Sequence, residues 1–380
     1  MRGKGLPAAP MSPWPCWPDG YGASAEDRWA LLVLSALRGI TPRGLIALAL
    51  ACGSASASLA AIREGRAGSD NDQAYARSID PEAIAAAADR CGARFVTWAS
   101  AEYPWQLRAI HDPPAALYVI GRPPPESRDA VAIVGARGCS ELGRELAFEL
   151  ARDVGLAGLT IVSGAARGID AAGHEGALSA GGRTLAVLGC GLGFDYPRGG
   201  RDLMRRVREH GTIVSEYAPG TPPSQRSFPA RNRIVAGLCT ATVVVEGAMG
   251  SGSTITAEHA MEFGRDVFAV PGPVTSPLSQ VPLQLIRDGA TMIRGSEDLL
   301  HDLGRDPVLD EVAARVELAE GERRVLELLT GPTLPDRLAS TLGVPVPEVV
   351  SILMRLELRG FVRSVGGRYE PTYRARPRSD

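Results

Sequence analysis

From about Arg128 to Leu300, short apolar runs rich in β-branched residues alternate with segments of helical pattern. The runs are Ala130–Val134, Thr160–Val162, Thr184–Leu188, Thr212–Val214, Thr242–Val245 and Val267–Val270, with Ala290–Ile293 as a shorter last one. Each has the length of a strand, and about a helix's worth of chain follows it. Runs that are apolar nearly throughout need cover on both faces, which only crossover helices supply. The expected fold class is therefore α/β, a doubly wound, Rossmann-like parallel sheet.

Flanking segments read differently. Residues 1–25 hold Pro7, Pro10, Pro13, Pro15 and Pro18 without an apolar stretch, and read as a disordered tail. Residues 26–121 read as short helices followed by a lead-in. Thr41-Pro42 and Asp80-Pro81 each pair an N-cap with a proline suited to the first helical position. Phe95–Trp98 and Leu117–Ile120 are short strand candidates, and the prolines of Arg122–Glu126 suggest a linker. The α/β domain is assigned to 128–302. Across 307–372, three helical segments precede a hairpin pattern around Gly366-Gly367, the outline of a winged helix.

In an open α/β sheet, ligands bind beyond the carboxyl ends of the strands. Those ends read Gly135-Ala136-Arg137-Gly138, Ser163-Gly164-Ala165-Ala166-Arg167-Gly168, Gly189-Cys190-Gly191, Ser215-Glu216, and Glu246 through Thr254. Four of the five carry glycine, and two carry arginine, so one sheet edge is suited to an anion. A dinucleotide is not expected, because the first turn lacks both GxGxxG and the ribose-binding acid. The loop Gly247–Thr254 has phosphate-loop spacing, but Ser253 stands where nucleotide hydrolysis requires lysine. Gly250, Ser251, Gly252, Ser253 and Thr254 can thus cradle a phosphate without ATP turnover. Asp170 and His174, four apart, suit capping and core packing better than proton transfer. Phe228-Pro229-Ala230-Arg231-Asn232-Arg233 places two arginines and an asparagine at a helix start beside an aromatic ring, a combination that grips single strands without reading sequence.

The net charge of −2 means that any basic surface is local. Lys4 is the only lysine, so anions must be held by arginine forks. The six cysteines fit no zinc spacing, no metal ligands are assigned, and reduced thiols point to a cytoplasmic setting. The apolar stretch Trp29–Cys52 is too interrupted by Arg38, Pro42 and Arg43 to span a membrane.

The motifs resemble those of the bacterial DNA-processing protein A (DprA/Smf) family. The matching segments are Ile133–Arg137, Ser163–Asp170, Phe228–Ile234, Gly250–Ala257 and Gly264–Gly272, in order across about 170 residues. Tyr103-Pro104, Pro113-Pro114, Leu117-Tyr118 and Gly121 fit as well, and the C-terminal segment more loosely. The resemblance implies an extended Rossmann-like fold, a SAM-like N-terminal module, and a homodimer that binds single-stranded DNA and loads RecA recombinase during natural transformation. It implies that Arg137, Ser163, Arg198, Phe228, Arg231 and Arg233 face the DNA, with no catalytic residue and no cofactor. Departures are Ala136, where the family has Thr or Ser, and residues 279–286, which lack the family's glycine and asparagine. An alternative is a nucleotide phosphoribohydrolase-like enzyme using Glu246 beside Gly250–Thr254. A third reading, duplex recognition by the helix Val346–Arg359, suffers from Glu348 and Glu357 beside Arg355 and Arg359.

Overall fold

The structure, a computed structural model, describes residues 15–125, 129–194, 196–197, 199–305, 318–329, 331–358 and 361–371. Five short helices open it: α1 (Ala25–Leu34), α2 (Pro42–Cys52), α3 (Ala55–Arg63), α4 (Asp70–Ser78) and α5 (Pro81–Cys91). Both proline-capped starts are present. Thr41 Oγ1 accepts from the Gly44 N–H, and Asp80 accepts from the Glu82 N–H. Left-handed Gly53 and Gly92 close the helices that these caps open.

Strands β1 (Arg94–Thr97), β2 (Ala116–Gly121), β3 (Ala130–Val134), β4 (Thr160–Ser163), β5 (Thr184–Leu188), β6 (Thr212–Ser215), β7 (Ala241–Val244), β8 (Asp266–Ala269) and β9 (Thr291–Met292) form one sheet in the order β1-β2-β6-β5-β4-β3-β7-β8-β9. Pairing is parallel from β6 through β9, as the apolar runs require. The lead-in strands differ: β2 pairs antiparallel with β6, and β1 antiparallel with β2. The connections are α6 (Glu141–Leu156), α7 (Ile169–Ser179), α8 (Arg201–His210), α9 (Ser227–Gly237), α10 (Gly252–Glu262), α11 (Gln280–Arg287) and α12 (Ser296–Asp302).

Strand β3 shows how the layers are fixed. All five of its residues are buried. Ala130, Ala132 and Val134 pack into the layer shared with α9, α10 and the N-terminal helices, while Val131 and Ile133 pack against α6 and α7. Each large apolar side chain so buried contributes roughly 1.5–3 kcal/mol.

The first core layer runs from Trp17 to Leu285, so the N-terminal helices share it with the sheet. Within 15–25 this departs from the reading of residues 1–25 as a disordered tail. Trp17 is buried, stacks on buried Tyr21, and donates its indole N–H to the Pro113 carbonyl. Residues 1–14 lie outside the described residues. The chain beyond the sheet forms α13 (Glu320–Leu328), α14 (Pro335–Leu342), α15 (Val346–Leu358) and the hairpin β10 (Val362–Val365) and β11 (Arg368–Pro371), which is a winged helix with its own apolar cluster. Gly343 closes α14 in the left-handed conformation. Among the described residues, no single helix is long and apolar enough to cross a membrane.

Candidate nucleic-acid interface

Chain order along the sheet reverses at β3. From β3 the chain steps through β4, β5 and β6 to one side, then returns to β7 on the other. The turns after β3 and β7 therefore diverge and leave a crevice at their carboxyl ends. A cleft of about 670 Å³ occupies that place. Its walls are the turn after β3, the turn after β4, the first turns of α9, and the loop leading into α10.

Two glycines allow this geometry. Gly168 precedes α7 at φ 80°, and a side chain there would meet the Ala136 carbonyl. Gly164 leaves space for Arg231 and Asp170, both of which a β-carbon would meet at under 3 Å. Arg231 is 3% exposed. Its Nη1 donates to the Gly164 carbonyl at 2.5 Å and to the Val187 carbonyl, tying the ends of β4 and β5 to α9. Asp170 accepts from the Ala166 N–H at 3.2 Å and attracts Arg231 electrostatically. Burial pushes the Asp170 carboxyl up and the Arg231 guanidinium down; their mutual attraction opposes both shifts.

The cleft's border combines a guanidinium, an aromatic pair and a helix start. Arg137 is exposed, and its guanidinium lies 5.2 Å from the centre of the Phe228 ring. Phe228 is half-buried and stacks on Tyr196 at 5.0 Å. The same cleft is lined by the start of α10 at Gly252, whose capping residue Ser251 accepts from the Ser253 N–H. The start of a helix presents unpaired N–H groups and a positive dipole end. Asn232 holds this wall in place by donating to the Gly252 carbonyl at 3.0 Å.

Of the residues expected at the site, Gly135, Arg137, Gly164, Phe228, Arg231, Asn232, Gly250, Ser251, Gly252 and Ser253 line the cleft. Others do not. Ser163 is buried, with its hydroxyl donating to the Ile133 carbonyl at 2.7 Å. Arg233 is 4% exposed. It points away from the cleft, forms a two-pronged pair with Glu216 at 2.6 and 3.0 Å, and donates to the Asp112 carbonyl. Thr254, in the first turn of α10, is not part of the cleft wall, and its hydroxyl oxygen is buried. Arg167 is exposed but outside the cleft wall, and Arg198 lies outside the described residues.

Sequence reasoning did not single out Tyr196, the stacking partner of Phe228, or Met249, which is 70% exposed on the α10 loop. An aromatic before Pro197 was the available signal for the first; nothing marks the second. The altered segment 279–286 still braces the loop: Val281 donates to the Gly247 carbonyl, and Gly247 donates to the Leu278 carbonyl.

The Glu246 carboxylate expected by the enzyme reading is committed elsewhere. Its two oxygens accept from the Ser140 N–H at 2.8 Å and the Ser140 hydroxyl at 2.6 Å, at the start of α6. His174 is likewise structural. Its Nδ1 lies 2.6 Å from Thr184 Oγ1, and burial lowers its pKa to about 4.

The sequence profile described as DNA recombination-mediator protein A matches residues 94–304. The chain belongs to that family. A second profile, the DprA winged helix domain, matches 309–368. DNA processing protein DprA of Streptococcus pneumoniae is 44% identical over 199 residues, 52% of this chain and 70% of that protein. Protein Smf of Escherichia coli is 39% identical over 283 residues, 72% of this chain and 76% of that protein. The X-ray structure of the pneumococcal DNA processing protein A superposes with a TM-score of 0.63 at 33% identity, covering 73% of this chain and 98% of that one. A structure concerned with the single-stranded DNA binding mode of DNA processing protein A from Helicobacter pylori gives 0.50 at 28% identity, covering 56% and 97%. Family membership assigns the chain to the DNA-processing recombination mediators.

Proposed function

We propose that this protein binds single-stranded DNA in the cleft, without sequence preference and without a catalytic step, and delivers it to RecA recombinase as a homodimer. The carrying observation is the exposed Arg137 over the Phe228 ring, itself stacked on Tyr196, in the cleft that the start of α10 also lines. A base takes the place of the Arg137 guanidinium on the Phe228 face, and Arg137 and the helix N–H groups turn to its phosphate. Stacking contributes about 1–3 kcal/mol per base whatever the base is. The Helicobacter relative's single-stranded DNA binding mode supports this reading.

Arg231 serves the site from behind in this account. It fixes the strand ends that form the floor, and its charge adds to the field in the cleft. Arg233 sets the far side of α9. The test compares single- and double-stranded oligonucleotides of several sequences by fluorescence anisotropy at two salt concentrations. Preference for single strands, uniform across sequences and steeply salt-dependent, is expected. Equal affinity for duplex defeats the reading. RecA filament nucleation on protected single strands, with and without the protein, tests delivery separately.

A further inference from the structure

At the far end of α10, three side chains that play no part in the cleft converge. His259 and Glu262 are three residues apart on the helix, and His111 comes from the loop before β2, 151 residues from Glu262. Their nitrogen and oxygen atoms all lie within 4.8 Å of one another. Glu262 Oε2 is 2.6 Å from His111 Nε2 and 3.4 Å from His259 Nδ1. Helix α10 has 11 residues, so this cluster is about 15 Å along the axis from Gly252.

The surroundings suit a cation. His111 Nδ1 faces Asp112 Oδ2 at 3.3 Å, an arrangement in which a carboxylate fixes the imidazole tautomer and directs Nε2 outward as a ligand. Phe263 packs edge-on against His111 at 4.9 Å and stacks on His259 at 5.8 Å, walling one side. The cluster also lies at the C-terminal end of a helix, where the dipole favours positive charge. Asp112 itself is held at φ 55°, with Arg43 on its carboxylate and Arg233 on its carbonyl.

We propose that His111 Nε2, His259 Nδ1 and a Glu262 oxygen bind one divalent transition ion of the zinc class. Two imidazoles and a carboxylate form a ligand set for zinc that leaves a fourth position for water. Ligands about 2.1 Å from a tetrahedral zinc stand roughly 3.4 Å apart. The His259–Glu262 separation already has that value, and the His111–Glu262 contact opens by about 0.8 Å to match it. Glu262, 55% exposed, has room for that movement and leaves the fourth position open to solvent. The ion would clamp the lead-in loop before β2 onto α10, the helix whose other end forms a wall of the cleft.

The test uses the full chain, stripped with a chelator and titrated with Zn²⁺ alone by calorimetry, then with Co²⁺ followed by its visible spectrum. One equivalent of zinc and the intense visible bands of four-coordinate cobalt are expected. His111→Ala and His259→Ala should each weaken binding by roughly 100-fold, and Glu262→Gln by about tenfold or more. His210→Ala and His301→Ala, which alter exposed histidines, should leave binding unchanged. Zinc at 100 times its dissociation constant raises the folded-to-unfolded ratio about 100-fold, so the thermal midpoint rises in the wild type and not in His259→Ala. His259 and Glu262 are not fully buried, so their variants keep the test readable if His111→Ala folds poorly. Failure of the wild type to bind zinc, or full binding by both His111→Ala and His259→Ala, overturns the proposal.

Discussion

Replacing Arg231 with alanine and replacing Arg137 with alanine should both reduce DNA affinity, but for different reasons that two measurements separate. Arg231 donates to the buried carbonyls of Gly164 and Val187 and is the nearby counter-charge to Asp170. Its loss takes the arginine donor from two carbonyl acceptors, at up to about 1–3 kcal/mol each, and the larger of the attractive charges from a buried acid. Removing one partner of such a buried network typically costs about 3–5 kcal/mol. Arg231→Ala should therefore lower the urea midpoint sharply. Arg137 is exposed and lies over Phe228, an interaction worth about 0.5–1 kcal/mol. Arg137→Ala should leave the urea midpoint almost unchanged. Its effect belongs to binding: with a DNA phosphate no longer neutralised, the plot of log affinity against log salt flattens by roughly 0.7. Equilibrium urea unfolding and anisotropy titrations across a salt series supply both readings. If Arg231→Ala unfolds like the wild type and flattens the salt slope as Arg137→Ala does, Arg231 touches phosphate directly and its assignment as the floor of the cleft is wrong.

Three further outcomes are expected. His174 has a pKa of about 4 against an ordinary 6.5, so it stays neutral in the folded protein while the unfolded chain takes up a proton; the associated stability, roughly 3 kcal/mol, is complete above pH 6.5 and lost as the pH falls towards 4. Urea unfolding at stepped pH should show this decline, and His174→Leu should flatten it; an unchanged acid limb in that variant refutes the assignment. Gly168→Ala forces a β-carbon against the Ala136 carbonyl at φ 80° and should cost about 3 kcal/mol or more by chemical denaturation, with wild-type stability counting against the geometry. A chain ending at Leu303 should stay folded and still bind single strands, because the winged helix has its own apolar cluster and its Arg363–Glu145 pair with α6 is partly exposed, worth about 1 kcal/mol at most. A folded truncated chain that binds no DNA at low salt transfers the DNA site to the winged helix.

The parallel strands were legible because burial on both faces writes itself into sequence as an apolar run. Ala130–Val134 and Thr184–Leu188 match β3 and β5 end to end. The glycine turns were legible for a related reason: Gly168 and Gly164 sit where backbone or a buried arginine comes too close for a side chain. The fate of the arginines was not legible. Arg231 and Arg233 look alike in sequence, yet the Gly164 and Val187 carbonyls with Asp170 of α7 hold the first inside, Glu216 holds the second, and only Arg231 borders the cleft. Ser163 misled similarly, since its hydroxyl satisfies a carbonyl of the neighbouring strand rather than facing a ligand. Trp17 and Tyr21 were hidden by surrounding prolines, which signal an absence of regular structure but not an absence of packing.

The antiparallel lead-in has a consequence for how copies of this chain can meet. Strand β2 covers the backbone edge of β6 that a parallel sheet would otherwise leave open, and β1 then closes β2 with only four residues. The opposite border is β9, two residues long. Neither rim offers a long row of unpaired N–H and C=O groups on which another strand could template. Among the described residues, the short rims of this sheet therefore disfavour joining two molecules by continuing one sheet into the next. Contacts between copies made instead by side chains on helical or loop faces can be altered by single substitutions without disturbing the hydrogen-bond ladder inside either copy.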